Sequence, residues 1–221
     1  MNWDPWPLRH LVLRTPRLEL RPDDDAGLFE LAEEARGGIH PPELMPFLVP
    51  WTDAEPEEAA AATVRWHWRS RAELSPQRWR LNFLVRVDGR VVGTQGLEAT
   101  DFAVTREVDS GSWLGLRHQG CGIGTEMRAA VLAFAFDHLG AVRARSGAFR
   151  DNPASLRVSE KLGYRRDGTA TYSRRGQRTE EVRLLLERDR FRRPDWTLRV
   201  EGVGACLPLL GAPQGRDHGT T

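Results

Sequence analysis

The sequence of 221 residues has only two cysteines, Cys121 and Cys206, and no long apolar run. Two cysteines are too few for a disulfide framework or for the ligands of a zinc site, so we expect no metal. No stretch approaches the roughly 20 apolar residues of a membrane span. The first residues also lack the basic region and apolar core of a secretory signal. We therefore expect a cytoplasmic protein with no membrane partner.

Neither sign of charge is in excess over the whole chain, because the net charge is only +1. This balance argues against a general nucleic-acid-binding protein, so no nucleic-acid partner is expected. The halves differ, since residues 19–60 are strongly acidic and residues 143–193 strongly basic. Solvated helix faces are one explanation of this asymmetry. The other is that the basic residues bind an anionic ligand while the acidic residues attract an amine.

A glycine-rich loop joins a strand-like run to a helix-like run in the middle of the chain. The sequence Gln-Gly-Cys-Gly-Ile-Gly at 119–124 follows residues 108–116 and precedes residues 125–138. At such a junction several N–H groups lack a partner, and the helix dipole adds positive potential. Glycine also lets the backbone approach an anion and adopt positive φ. The loop therefore predicts a phosphate or pyrophosphate site.

The spacing of the glycines narrows the identity of the ligand. No lysine follows Gly124, as a nucleotide P-loop would require. Glycines at 120, 122 and 124 also lack the G-x-G-x-x-G spacing of a dinucleotide-binding turn. For this loop taken alone, a turn that binds no ligand is the alternative.

A second block of sequence predicts a strand followed by a short capped helix. Residues 144–149 are strand-like, Asn152 is placed to cap the helix, Pro153 lies in its first turn and Gly163 ends it. An Asn side chain at the end of a strand suits a ligand that is rich in amide groups.

These blocks resemble those of a known family, the GNAT acyltransferases. The loop at 119–124 is similar to their coenzyme A pyrophosphate loop, and residues 151–164 are similar to the segment after their fifth strand. Residues 15–22, Thr-Pro-Arg-Leu-Glu-Leu-Arg-Pro, resemble the first strand of the RimJ/RimL branch. Within that branch, residues 108–116 and 151–155 look closest to an actinobacterial group that includes a succinyltransferase.

The resemblance covers Leu11 to Glu187 and implies an acyl-CoA co-substrate, either acetyl-CoA or succinyl-CoA. The residues that it assigns to cofactor binding are Leu114, Gly115, Leu116, Gln119, Gly120, Cys121, Gly122, Ile123, Gly124, Thr125, Asn152 and Ser155. It also implies that the N–H group of Leu114 or Gly115 binds the thioester oxygen.

The order of elements predicts one α/β (α+β) domain of the GNAT fold over residues 1–210, followed by a disordered tail at 211–221. We expect a mixed, mainly antiparallel sheet with a central splayed pair of parallel strands and flanking helices. The helix at 125–138 is apolar on nearly every side, which predicts a buried crossover between those two strands. The proline-rich loop at 37–51 is expected either to cover the core or to form a wall of an acceptor pocket.

The C-terminal part is predicted to contain an antiparallel hairpin over 164–187, a short helix within 188–196 and a last strand within 197–210. Extra C-terminal strands often serve dimerisation in this fold. A homodimer or higher homo-oligomer is therefore an open expectation.

Two side chains are candidates for the catalytic proton transfers. The resemblance places Ser159 where many members carry a Tyr that donates to the leaving thiolate; the alternative is a helix Ser bonded to a backbone carbonyl. Asp109 is the candidate general base, provided that the cleft raises its pKa. Glu98, Asp101 and Glu107 lie close enough in sequence to compete with it.

Together these features predict an N-acyltransferase that moves an acetyl or succinyl group from CoA to a primary amine. Direct attack in a ternary complex is expected, without a metal. The acceptor would be a small molecule, a lysine side chain or a protein N-terminus. The alternative is a CoA-binding regulatory protein of the same fold with little catalytic activity, which thioester turnover would distinguish.

Overall fold

A computed structural model describes residues 4–213 of the chain. The strands are β1 Val12–Arg14, β2 Leu18–Pro22, β3 Arg78–Val87, β4 Arg90–Thr100, β5 Glu107–Leu114, β6 Arg143–Phe149, β7 Arg165–Arg174, β8 Gln177–Glu187 and β9 Arg199–Glu201. The helices are α1 Asp25–Arg36, α2 Pro56–Ala72, α3 Phe102–Thr105, α4 Ile123–Phe134, α5 Pro153–Leu162 and α6 Val203–Cys206. Single turns connect them at Pro7–His10, Trp51–Asp53, Leu116–His118, Ala135–Leu139, Arg188–Arg190 and Pro208–Leu210.

The strands form one sheet in the order β7-β8-β6-β5-β4-β3-β2-β1-β9. Every pairing in it is antiparallel except that of β5 with β6. The predicted fold class, a mixed and mainly antiparallel sheet with one parallel pair, is therefore confirmed.

The parallel strands β5 and β6 diverge soon after they meet. Their pairing extends only from Glu107 opposite Arg143 to Asp109 opposite Arg145. From there β5 remains paired with β4 as far as Leu114, while β6 remains paired with β8. The divergence leaves a V-shaped gap in the sheet between the two strands, as predicted.

Helix α4 makes the crossover from β5 to β6 and is buried on nearly every side. Met127, Ala130 and Phe134 are each 2% exposed or less. The ring of Phe134 packs edge-on against Phe83 of β3, with the ring centroids 6.2 Å apart. The predicted buried crossover is confirmed.

Helix α1 packs on the opposite face of the sheet. Phe83 and Val85 of β3 belong to the core that contains α4, whereas Leu84 between them packs with Leu28 and Leu31 of α1. Since successive side chains of a strand point to opposite faces, the sheet is covered on both sides.

The C-terminal part differs from the prediction. The helix expected within 188–196 is one turn, Arg188–Arg190, after which Phe191 has extended geometry. Pro194 also disfavours helical geometry in Arg193, the residue before it. The strand expected within 197–210 is limited to β9, which pairs with β1 at the sheet edge. Gly202 follows it with φ +74°, and this left-handed residue turns the chain into α6.

The end of the described chain packs against the core. The indole Nε1 of Trp79 donates to the carbonyl of Leu210 at 2.9 Å, and Ala212 is buried. The rest of the predicted tail, residues 214–221, lies outside the described residues.

Candidate active site

The glycine-rich loop presents adjacent N–H groups at the start of α4. Gly120 and Gly122 have φ of +76° and +82°, which glycine adopts without strain. Within residues 4–213, the N–H groups of residues 120–124 donate to no backbone or side-chain acceptor. Free donors at the positive end of a helix dipole fit the phosphate groups of CoA.

The side chain of Gln119 holds the loop against the end of β5. Its Nε2 donates to the carbonyls of Ile39 and Leu114, at 2.6 and 3.0 Å. Cys121 is exposed, and its Sγ lies 3.5 Å from the carbonyl of Gln119. These two side chains therefore serve the shape of the loop, while its N–H groups remain available to a ligand.

A buried carboxylate links the first turn of α4 to the N-terminal strands. Glu126 accepts from the hydroxyl of Thr15 at 2.6 Å and pairs with Arg17, also at 2.6 Å. Arg17 in turn donates to the carbonyl of Cys121 at 3.1 Å. The loop is thus fixed from both sides, which preserves its geometry before a ligand binds.

The strand register decides which N–H groups of β5 face the gap. The N–H of Gly115 donates to Val92 of β4 at 3.0 Å, and that of Leu116 donates to Gly38 at 3.0 Å. Successive N–H groups of a strand point in opposite directions. The N–H groups of Ser112 and Leu114 therefore point away from β4, toward the gap. Of the two predicted candidates for the thioester oxygen, the register favours Leu114 over Gly115.

One cleft of about 1200 Å³ follows the gap and brings most of the predicted cofactor residues together. Those that line it are Leu114, Gln119, Gly120, Gly122, Gly124, Thr125, Asn152 and Ser155. Four predicted cofactor residues do not line it, namely Gly115, Leu116, Cys121 and Ile123, and neither do the catalytic candidates Asp109 and Ser159.

The start of α5 forms the far wall of this cleft. The Oδ1 atom of Asn152 accepts from the N–H of Ser155 at 3.1 Å, so Asn152 caps the helix as its sequence position predicts. This bond leaves the Nδ2 group of Asn152 as a donor at the edge of the cleft.

A buried arginine lies beneath the strand gap. Arg128 of α4 is 5% exposed, and it lines the cleft. Its guanidinium donates to the hydroxyls of Ser112, Ser146 and Ser159, at 3.3, 3.5 and 3.1 Å. No carboxylate within residues 4–213 forms an ion pair with it, and its Nε has no acceptor there. Burial lowers the pKa of this guanidinium, and the neighbouring Tyr164 and Asp109 act in the opposite direction.

Ser159 lies wholly inside the core. It is 0% exposed, and its Oγ donates to the carbonyl of Ser155 at 3.1 Å while it accepts from Arg128. The structure therefore places this predicted leaving-group donor behind Arg128, in the backbone-bonded geometry of the alternative interpretation.

Asp109 faces a second cavity of about 470 Å³, on the α2 side of the sheet. Burial, reinforced by the nearby Glu98 carboxylate, raises the pKa of Asp109 to about 6. Glu98 pairs with Arg80, and both of these residues line the second cavity and the main cleft. Glu98 therefore borders both spaces, whereas Asp109 lines only the second cavity.

Glu181 of β8 projects into the cleft from the other side of the gap. Burial raises the pKa of its carboxyl, and within the described residues it has no ion-pair partner. Glycine at 147 makes room for it, because a Cβ there would lie 2.5 Å from Oε1 of Glu181. The cleft therefore holds a second carboxylate close to the divergent strands.

Aromatic rings line the outer half of the cleft. His40, Phe47, Trp51 and Trp113 follow one another, with centroids 5.9, 5.2 and 6.1 Å apart. The first three belong to the proline-rich loop and its following turn, so that loop forms a wall of the cleft, one of its two predicted roles.

The proline-rich loop is fastened to the β7–β8 hairpin. Arg174 donates to the carbonyl of Met45 and pairs with Asp151, and Arg175 pairs with Asp53. The hairpin therefore positions the aromatic wall.

The site residues predicted from the sequence do not include Ser112, Arg128 and Glu181, which line the cleft. A signal existed for Arg128, because an arginine inside a helix that is apolar on every side has to be buried. A weaker signal existed for Glu181, since adjacent Glu180 and Glu181 on one strand must face opposite sides of the sheet. Whether Ser112 faces the cleft depends on the register of β5, which the sequence does not give.

Neither a membrane-spanning helix nor a cluster of metal ligands is present among residues 4–213. No helix among residues 4–213 is both long and apolar enough to cross a membrane. In the same residues, no three His, Cys, Asp or Glu side chains are grouped so that they could hold a metal ion.

Comparison with known families gives the class of the protein. Residues 11–165 match the sequence profile described as "Acetyltransferase (GNAT) domain". Since the match spans more than half of the chain, this protein belongs to the GNAT acetyltransferase family. Members of this family use acetyl-CoA and transfer an acyl group from CoA to an amine.

Solved structures of the same fold include three informative ones. RimJ of Mycobacterium smegmatis, in complex with CoA-disulfide, is 19% identical; the match covers 83% of this chain and 90% of that chain, with a TM-score of 0.66. A protein of Vibrio cholerae described as a ribosomal-protein-serine acetyltransferase is 22% identical, with 80% and 97% covered and a TM-score of 0.58. A chimera of the spermidine N-acetyltransferase SpeG from Vibrio cholerae and hSSAT is 14% identical, with 78% and 96% covered and a TM-score of 0.60. At these identities the similarities show the fold.

Proposed function

We propose that this protein moves an acyl group from acyl-CoA to a primary amine by direct attack in a ternary complex. The observation that supports it is the single cleft in which the free N–H groups of the loop, the strand gap and an acidic, aromatic half all meet. The loop N–H groups and the strand gap suit an acyl-CoA, and the acidic, aromatic half of the cleft suits an amine.

The pyrophosphate of CoA is assigned to the N–H groups of residues 120–124. The pantetheine arm then runs along the gap between the N–H groups of β5 and the Nδ2 group of Asn152. In this arrangement the N–H of Leu114 or of Ser112 donates to the thioester oxygen. Such a donor stabilises the negative charge that the oxygen gains when the amine attacks.

The amine must lose a proton as its nitrogen bonds to the carbonyl carbon. We assign the acceptance of this proton to Asp109, with Glu98 as the group between Asp109 and the cleft. A carboxyl with a pKa of about 6 is mostly ionised at neutral pH and is a stronger base than an ordinary aspartate. The C–S bond then breaks, and its electron pair leaves with the sulfur as a thiolate.

The acceptor is proposed to be a primary amine on an apolar carbon skeleton. Carboxylates of Glu98 and Glu181 attract its ammonium form, while Phe47, Trp51 and Trp66 offer rings to the rest of the molecule. A small molecule, a lysine side chain or a protein N-terminus can each present such an amine.

Acetyl-CoA is proposed as the donor, as in the family at large. Succinyl-CoA is the second donor to be tested. It is supported by the closer resemblance of residues 108–116 and 151–155 to a group that includes a succinyltransferase.

Thiol release tests this proposal directly. The protein is incubated with acetyl-CoA or succinyl-CoA and a panel of primary amines that includes arylalkylamines, polyamines and peptides. Free thiol is measured, and the acylated product is identified by mass spectrometry. Amine-dependent release with one acylated product per thiol supports the proposal. Tight binding of CoA without release by any amine would favour the regulatory alternative.

A further inference from the structure

Arg128 is a buried cation with no anionic partner of its own. Its guanidinium is bonded only to neutral hydroxyls, on β5 through Ser112, on β6 through Ser146 and on α5 through Ser159. Placing a charge in a low-dielectric interior is costly unless an opposite charge compensates for it. These hydroxyls place the guanidinium where β5 and β6 diverge, and Arg128 lines the cleft there.

The hydroxyl of Ser159 has no proton to spare for a ligand. Its single O–H donates to the carbonyl of Ser155, and its oxygen accepts from Arg128. Because the side chain is 0% exposed, no ligand can contact it unless the residues around it move. A direct hydrogen bond from Ser159 to a leaving sulfur would require both of these bonds to break.

We propose that Arg128 provides the positive charge that stabilises the thiolate leaving from acyl-CoA, and that Ser159 is a positioning residue that holds Arg128 in place. This inference rests on the proposed acyl transfer. Each hydroxyl that meets the guanidinium orients it toward the gap, where the thioester of a bound acyl-CoA lies.

The proposed acyl transfer conserves bonds, protons and electrons. The amine nitrogen bonds to the carbonyl carbon, and its proton passes to the base. The C–S bond then breaks, and the sulfur keeps the electron pair. Arg128 remains protonated throughout, because a guanidinium is not deprotonated in proteins, so it lowers the energy of the thiolate by its charge rather than by giving up a proton.

The other charged and titratable groups around Arg128 are Asp109 of β5 and Tyr164 next to α5. Glu98 of β4 and Glu181 of β8 line the same cleft. Other cations also line the cleft, among them Arg80, Arg157 and Lys161. Arg80 pairs with Glu98, and Arg157 and Lys161 are exposed, whereas Arg128 is buried and bonded to β5 and β6 where they diverge.

The bound product offers a test that does not depend on turnover. An opposite charge nearby favours ionisation, so the pKa of the thiol of bound CoA should be at least about one pH unit lower than that of free CoA. It is measured from the ultraviolet absorbance of the thiolate as pH is varied. A pKa equal to that of free CoA in the wild-type protein would overturn the proposal, and this measurement needs no variant to fold.

Variants distinguish the role of Arg128 from that of Ser159. Arg128→Met removes the charge and keeps much of the volume; kcat is expected to fall about 100-fold, as when one oxyanion-hole donor is removed. Arg128→Lys should restore most of the rate, and the lowered thiol pKa should disappear only in Arg128→Met. Arg193→Met is the matched control, because Arg193 pairs with Asp137 far from the cleft.

Ser159→Ala should lower kcat by roughly fivefold, the value of one hydrogen bond of about 1 kcal/mol. In the Arg128→Met background the same change should have no further effect, because Ser159 acts through Arg128. Equal losses from Ser159→Ala in both backgrounds would mean that Ser159 acts on the sulfur directly, which contradicts the proposal.

A comparison of acetyl-CoA with succinyl-CoA as acyl donors completes the test. A thiolate forms from every acyl-CoA, so Arg128→Met should lower kcat equally with acetyl-CoA and succinyl-CoA. A loss confined to succinyl-CoA and to KM would show that Arg128 binds the acyl carboxylate instead, and the inference would fall. Absence of wild-type turnover with every amine would count against the proposed function, whereas the thiol pKa would still test Arg128.

Discussion

Glu98 and Asp109 lie directly opposite each other on the neighbouring antiparallel strands β4 and β5. Like charges at such positions repel, and burial adds to the cost of ionising Asp109, whose pKa is raised to about 6. Arg80 pairs with Glu98 and so neutralises only one member of the pair. The arrangement keeps Asp109 a better base than an ordinary surface aspartate.

The first prediction concerns activity. Asp109→Asn should lower kcat by about 100-fold or more, the usual contribution of a general base. In the wild-type protein kcat/KM should rise with pH through about pH 6, as Asp109 loses its proton. That rise should be absent from the variant in a pH–rate profile. Asp189→Asn, which changes an exposed aspartate, is the matched control. A variant with the wild-type rate and profile would exclude Asp109 as the base.

The second prediction concerns stability. The folded protein keeps a proton on Asp109 between about pH 4 and 6, whereas the unfolded chain releases it, so the free energy of unfolding falls as pH rises through this window. Asparagine has no charge, so it removes the cost of ionising a buried carboxyl at this position. Asp109→Asn should therefore be more stable at pH 7 by roughly 2 to 3 kcal/mol, and the gain should vanish below pH 4. Urea denaturation at the two pH values checks this, and a variant less stable than wild type at pH 7 contradicts it.

The third prediction concerns the loop. Gly122→Asp places a carboxylate among the N–H groups assigned to the pyrophosphate. It also puts a side chain on a residue whose φ of +82° favours glycine. Affinity for CoA, measured by calorimetry, should fall at least 100-fold, because repulsion replaces attraction at the anion site. Gly176→Asp is the matched control, since Gly176 has φ +73° in an open turn with nothing near its Cβ. Unchanged CoA affinity in Gly122→Asp would mean that the phosphates bind elsewhere.

The fourth prediction concerns the aromatic wall. Trp51→Ala removes the ring that stands between Phe47 and Trp113. KM for an apolar amine should rise about tenfold, whereas the Kd of CoA should stay within about twofold, because the aromatic rings are assigned to the acceptor and the loop at 119–124 to CoA. Trp68→Ala is the control, since Trp68 lies on α2 outside the cleft and bonds to Asp25. Parallel losses in amine and CoA binding would show that Trp51 serves the fold.

Much of the fold follows from local patterns in the sequence. The apolar helix α4, the Asn152 cap and the turn at Gly163 depend on neighbouring residues, and they lie where the sequence predicts them. The strand after Thr197 is shorter than expected, because Gly202 turns the chain and ends it. A glycine at this position is itself a signal for the end of a strand, so this difference could have been predicted.

The site was predictable only in part. The loop N–H groups follow from glycine spacing, but the choice of Leu114 over Gly115 depends on the register of β5 against β4. The partners of Ser159 depend on how α4 and α5 pack together. Contacts between distant segments are set by the whole fold, so no local pattern reveals them.

Thermal unfolding with ligands tests most directly whether the loop at 119–124 binds an acyl-CoA. Acetyl-CoA, succinyl-CoA, free CoA, NADPH and ATP are compared for the wild type and for Gly122→Asp. A ligand at 100 times its Kd stabilises the folded state by about 2.7 kcal/mol. If the loop binds an acyl-CoA, we expect a clear rise in Tm with the CoA species in the wild type, none with NADPH or ATP, and none in Gly122→Asp. No rise with any CoA species would contradict it and leave the loop as a turn without a ligand.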